Sequence, residues 1–161
     1  MNAKQLLERM ADIEARIAKI YERFATEFRD VLDIGDLWVS MGREELRHAE
    51  HLSLAMTAAP DTAVAPEVAA HVGQLEAVLG TCEREVAHTV QLQEALRVTV
   101  DLEAAETDHL HTVLGTIGDW AKTLAAAPEL QHHHRHVLEH AIDLFATPGV
   151  RQRMRWQRFR G

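Results

Sequence analysis

The stretch WVSMGREELRHAEHL, residues 38–52, decides how this chain folds. Read at steps of three and four, Trp38, Met41, Glu45, His48, Leu52 and, just beyond, Met56 fall on one side of a helix. A face that should be apolar therefore carries a carboxylate and an imidazole. A buried ionised Glu is costly unless it is paired or binds a metal. Glu-x-x-His also sets an oxygen and a nitrogen donor on adjacent turns, within reach of one ion. The motif alone says little: sixteen Glu and eleven His in 161 residues give roughly one chance occurrence. The chain holds four, at Glu45/His48, Glu85/His88, Glu106/His109 and Glu129/His132.

An internal repeat chooses among them. IEARIAKIYERFA (13–25) aligns without gaps on LEAVLGTCEREVA (75–87), pairing Glu14 with Glu76, Ala15 with Ala77 and Ala25 with Ala87. Ile13, Ile17 and Phe24 fall on Leu75, Leu79 and Val86. The offset of 62 carries Glu45 and His48 to within one residue of Glu106 and His109. Each half thus reads as a helix with one inward Glu, followed by a helix with Glu-x-x-His. The predicted inward stripes are Met10, Glu14, Ile17, Tyr21 and Phe24 in the first helix, and Val72, Glu76, Leu79, Glu83 and Val86 in the third. In the fourth the stripe is Thr99, Leu102, Glu106, His109, Val113, Ile117 and Trp120. Glu85/His88 points away from Glu76 and reads as solvated, and Glu129/His132 lies outside the repeat.

Helix with Glu, helix with Glu-x-x-His, then the same again resembles the ferritin-like di-iron carboxylate superfamily, whose bundles carry this ligand set. The step from Glu14 to Phe24-Ala25 with Tyr21 between them, and Glu45-x-x-His48-Ala49, are most similar to rubrerythrin. The resemblance covers about residues 5 to 125. It implies an all-α, ferritin-like four-helix bundle, to which a fifth C-terminal helix is added, and a centre of two Fe ions, with Mn or Zn as substitutes. It further implies Glu14 and Glu76 as terminal ligands, Glu45 and Glu106 as bridging ligands, and His48 and His109 on one metal each. Two departures stand out. The only cysteine is Cys82, so the paired Cys-x-x-Cys motifs of a rubredoxin domain are missing, and Leu79 stands where rubrerythrin has an additional Glu.

Four inward carboxylates would repel one another, and two divalent cations would neutralise them. Tyr21, the single Tyr, lies two turns after Glu14 on the same face and is expected to hydrogen-bond a ligand carboxylate or to be a satisfied core residue. Glu83 takes the equivalent place in the second half, as a spare ligand or an entry-path carboxylate. In QHHHRHVLEH, His132, His136 and His140 lie at i, i+4 and i+8, the spacing of a surface metal site or of a solvated face.

Composition agrees with a single helical domain. Apolar residues make up 47%, and Gly and Pro are few. The formal charge of −8 hides an asymmetry: residues 151–161 carry five Arg and no acid, leaving −13 on residues 1–150. Residues 1–146 are expected to form the bundle. Residues 147–161 are expected to be a basic tail, docked on the acidic body of a neighbouring subunit or disordered. Nothing in the tail reads a base sequence. No run of 18 apolar residues suggests a membrane span, and the first ten residues lack the apolar core of a signal peptide. A lone Cys fits a cytoplasmic setting.

Helix one is predicted from an Asn2 cap to about Arg29, and helix two from an Asp36 cap to about Thr57. Helix three is predicted from Pro66 to about Thr89, helix four from about Gln93 to Leu124, and a fifth from AAPEL to about Ala146. The ferritin-like arrangement requires helices two and three to be parallel. The link must then return along the bundle, spanning roughly 27 Å with nine extended residues that reach about 30 Å. A helix partly unwound at either end, or exchange of hairpins between subunits, would relieve that tension.

The function so implied is a rubrerythrin-like peroxidase or oxidase that reduces H2O2 or O2 with Fe(II), draws on an external electron donor and assembles as a homo-oligomer, a dimer or larger. The alternatives are a ferritin-type ferroxidase feeding iron storage and a metal-binding interaction module without turnover. A helical scaffold recruiting partners through the His-rich helix and Arg tail is a further one.

Overall fold

A computed structural model describes residues 1–31, 34–88 and 90–116, together with Ile142, Asp143 and Ala146; along 107–116 it describes the backbone alone. Four helices carry the described chain: α1 (Ala3–Glu27), α2 (Ile34–Ala55), α3 (Pro66–Glu85) and α4 (Leu92–Thr116). The all-α architecture expected from the sequence is present. The expected fifth helix, the triad His132, His136 and His140, and the Arg-rich tail lie outside the described residues.

Asn2 starts α1 through a capping box: its Oδ1 accepts from Gln5 N at 2.9 Å and Gln5 Oε1 accepts from Asn2 N at 3.0 Å. α2 begins two residues before Asp36, so Asp36 lies in the first turn, where a carboxylate complements the helix dipole, and is not the cap. Pro66 opens α3 as predicted, but α3 ends at Glu85, short of Thr89.

Side-chain pairs give each helix its direction. Phe24 lies 5.1 Å, centroid to centroid, from Trp38, whereas Glu14 meets His48, so α1 and α2 are antiparallel. Arg9 pairs with Glu76 and Arg16 with Glu83, both separated by 67 residues, so α1 and α3 are parallel. Glu85 near the end of α3 pairs with Arg97 near the start of α4, making those two antiparallel. The order is up-down-up-down.

That order corrects the expected crossover. The 56–65 link stays at the end of the bundle where α1 begins: Ala3 N donates to Thr62 O, Val64 N to Met1 O, and Asn2 Nδ2 to Asp61 Oδ1. An isolated antiparallel bridge joins Asn2 to Ala63. The link has no bundle length to span and carries no stretch tension.

The core forms along the predicted stripes of α1 and α2. Leu6, Leu7, Ile13, Ile17, Tyr21, Phe24, Trp38 and Met41 are buried, and Trp38 Nε1 donates to Thr99 Oγ1 of α4 at 3.0 Å. α3 is rotated from its predicted face. It buries Val68, Val72, Leu75, Leu79 and Cys82, leaving Glu76 and Glu83 on the flank toward α1. Among the described residues no helix is long and apolar enough to cross a membrane.

Candidate metal centre

Three helices bring donors to one point. Glu14 of α1, Glu45 and His48 of α2 and Glu106 of α4 each offer a ligand atom, and these atoms all lie within 4.8 Å of one another. The carboxylates are buried, at 2%, 0% and 8% exposure for Glu14, Glu45 and Glu106. His48 Nδ1 is 3.0 Å from Glu45 Oε2 and 3.7 Å from Glu14 Oε2. Glu14 Oε2 is buried and has no hydrogen-bond partner among the described residues. Oxygen-rich donors with an imidazole, packed this closely and shielded from water, are what a divalent cation requires. This Glu/His group can hold metal. No family model, curated protein or solved structure matches the chain.

Without a cation the cluster is electrostatically unfavourable. Burial pushes the Glu45 carboxyl well above the usual carboxylate range, and the neighbouring Glu106, Glu14 and Glu103 charges push it the same way. Burial and the charges of Glu14 and Glu103 do likewise to Glu106. Both shifts favour the protonated carboxyls, so a metal would bind in competition with protons.

The alignment of helices decides who joins. α2 and α4 are in register at 61 residues, set by Trp38 and Thr99, and the same step takes Glu45 to Glu106. The two Glu-x-x-His motifs are therefore level. α1 and α3 are in register at 67, whereas the sequence repeat is 62. Glu76 consequently lies level with Arg9, five residues short of Glu14, about 7.5 Å along the axis. Arg9 Nε and Nη2 donate to its two oxygens at 2.8 and 2.5 Å, hold its pKa below the usual range and leave it 31% exposed. Glu83 is held in the same way by Arg16, at 2.8 and 2.7 Å, and its pKa is likewise lowered. Neither Glu76 nor Glu83 stands in the cluster: each is held by an arginine, and Glu76 also lies at the wrong height. The side chain of His109 lies outside the described residues.

Tyr21 is a buried core residue with a satisfied hydroxyl, and its partner is none of the expected ligand carboxylates. Its hydroxyl donates to Glu103 Oε1 of α4 at 2.8 Å. Burial, then the Glu103 charge, raises the Tyr21 pKa well above its ordinary value, so it remains a phenol donor. Glu103 is half-buried and belongs to the sequence Thr99, Glu103, Glu106 at steps of four and three. That phasing was the signal for it. Cys82 is a buried core thiol, its pKa pushed up to about 11 by burial. A groove between α3 and α4, lined by Ala77, Val78, Thr81, Cys82, Glu85, Arg97, Asp101 and Ala105, includes none of the clustered donors.

Proposed function

We propose that the cluster of Glu14, Glu45, His48 and Glu106 is the core of a two-metal centre, iron in the working state, and that the chain is a di-iron oxidoreductase resembling rubrerythrin. The observation that carries the proposal is the convergence of these four donors from three helices, buried and within 4.8 Å of one another. Two Fe(II) ions would supply two electrons to H2O2, whose O–O bond breaks as it takes up two protons to leave two waters, or would be oxidised by O2 in an oxidase role.

The chain's own residues make that chemistry selective. Leu102, Met41 and Ile17 are buried and stand about one turn from Glu106, Glu45 and Glu14 on the same helix faces, and an apolar surround of that kind would exclude bulk water. The proximity of His48 Nδ1 to Glu45 and Glu14 holds the imidazole against the carboxylates it would share a metal with. With one cysteine, Cys82, buried in the core, electrons for repeated turnover would come from a separate donor. A homo-oligomer and a cytoplasmic setting belong to the same proposal.

The test is anaerobic Fe(II) titration of metal-free protein, then mixing with H2O2 or O2 while the ferric absorbance is recorded, beside a Glu45→Ala, His48→Ala variant. Two Fe per chain and rapid oxidation, both lost in the variant, are expected; the faster oxidant separates peroxidase from ferroxidase. Uptake of fewer than two Fe by the unaltered chain overturns the proposal.

A further inference from the structure

A centre of two divalent cations carries four positive charges, and the clustered carboxylates Glu14, Glu45 and Glu106 supply three negative ones. The sequence repeat nominates Glu76 as the fourth. The structure removes it, because the 67-residue register of α1 and α3 puts Glu76 beside Arg9.

We infer that the fourth carboxylate of the centre is Glu103 of α4, held in place by the Tyr21 hydroxyl, so that α4 supplies two carboxylates and α3 none. This rests on the two-metal proposal above. Three observations carry it. Glu103 precedes Glu106 by one turn, so the two carboxylates leave α4 on the same face. Tyr21 is fully buried on α1, two turns beyond Glu14 on the same stripe, and its 2.8 Å bond to Glu103 Oε1 ties that carboxylate to α1, just outside the group of four donors that lie within 4.8 Å of one another. Glu14 Oε2, buried and without a hydrogen-bond partner among the described residues, faces the same cluster. A carboxylate has two oxygens and about four lone-pair sites, so accepting from Tyr21 and binding a metal are compatible.

The geometry also separates the tasks of the two residues. Glu103 would be a ligand, whereas Tyr21 acts through Glu103 and is a positioning residue. A tyrosine that only filled space would tolerate Phe, since the ring is unchanged. One that orients a ligand would lose metal affinity by roughly 10- to 100-fold on the same substitution.

The experiment is anaerobic titration of the metal-free, full-length chain with Fe(II), repeated with Co(II), whose visible spectrum reports its ligands. The unaltered chain is expected to take up two equivalents. Glu103→Gln is expected to keep one and weaken the second at least tenfold, with an altered Co(II) spectrum, while Glu76→Gln keeps both. Should Glu103→Gln fold poorly, Glu103→Asp keeps the charge but withdraws it by a methylene, and again weakens the second equivalent. Tyr21→Phe is expected to weaken it by 10-fold or more. Two equivalents bound to Glu103→Gln or Glu103→Asp with unaltered affinity, or loss of one in Glu76→Gln, overturns the assignment of Glu103 and leaves the two-metal centre standing. An unaltered chain that binds fewer than two overturns both.

Discussion

Arg9 and Glu76 are joined by two parallel hydrogen bonds, and seven residues further along both helices Arg16 and Glu83 repeat the arrangement. This two-rung ladder fixes the height of α3 against α1. Both rungs are partly exposed, so each contributes on the order of 0.5–1 kcal/mol. Arg9→Met is expected to lower the melting temperature by about 2–4 °C and to leave metal stoichiometry unchanged. Calorimetry and titration of the same preparation check the two halves of that expectation. Loss of a metal equivalent would mean that the ladder reaches into the centre.

Stability of the metal-free chain should fall as pH rises. Glu45 and Glu106 have folded pKa values well above the ordinary carboxylate value of 4.5, so the folded state keeps protons that the unfolded state releases. Their contribution is complete below about 4.5 and is lost as pH climbs through the raised folded values. Glu76 and Glu83, with lowered pKa values, work oppositely: their contribution is present above 4.5 and is lost as pH falls through the lowered values. Melting curves of metal-free protein from pH 5 to 8 should thus slope downward, and Glu45→Gln or Glu106→Gln should flatten the slope. An equal slope in both variants would show that the buried carboxylates do not set it.

Thr99 offers a separate check on how α2 meets α4. Its hydroxyl accepts from Trp38 Nε1 at 3.0 Å and donates to Ala95 O at 2.9 Å. Thr99→Val keeps the volume and leaves the buried indole N–H without its acceptor, at a cost of about 1–3 kcal/mol. Chemical denaturation would detect that loss, and the Trp38 emission should shift at the same time. Unchanged stability would contradict the bond.

Gly42 marks the close approach of α2 to α1. A methyl there would lie 3.4 Å from Ala18 O and 3.5 Å from Tyr21 Cβ, which is ordinary contact. Helix propensity then decides the sign, and Gly42→Ala is expected to stabilise the chain by up to about 1 kcal/mol. Gly42→Leu would force the helices apart beside Tyr21 and should lower both stability and metal affinity. Tolerance of Leu without loss of either would show that the two helices can separate freely.

Much of this was legible in the sequence. Polar residues in the apolar phase of α1 and α2 located Glu14, Glu45 and His48, and the second Glu-x-x-His located Glu106, because burial and helical period act through local spacing alone. α3 resisted for the opposite reason. Its face is set by partners 67 residues away, and Arg9 and Arg16 carry no mark in the sequence to say that they will take Glu76 and Glu83. Glu103 stands in helical phase with Thr99 and Glu106, but its partner, Tyr21, lies 82 residues away, and nothing local to either residue announces that pairing. The parallel placement of α2 and α3 came from the family resemblance and not from the residues. The short link pinned to Asn2 overrides it.

The mismatch between a 62-residue repeat and a 67-residue docking register has a consequence for how the two halves can change over time. Copies that docked symmetrically would remain interchangeable, each able to substitute for damage in the other. Here the slip of five residues has divided the labour. The first half holds its carboxylate in the shared interior, while the matching residue of the second half has become a bracket on the outside. A substitution at Glu14 therefore has no understudy at Glu76, and the two positions, matched in the sequence repeat, answer to entirely different demands.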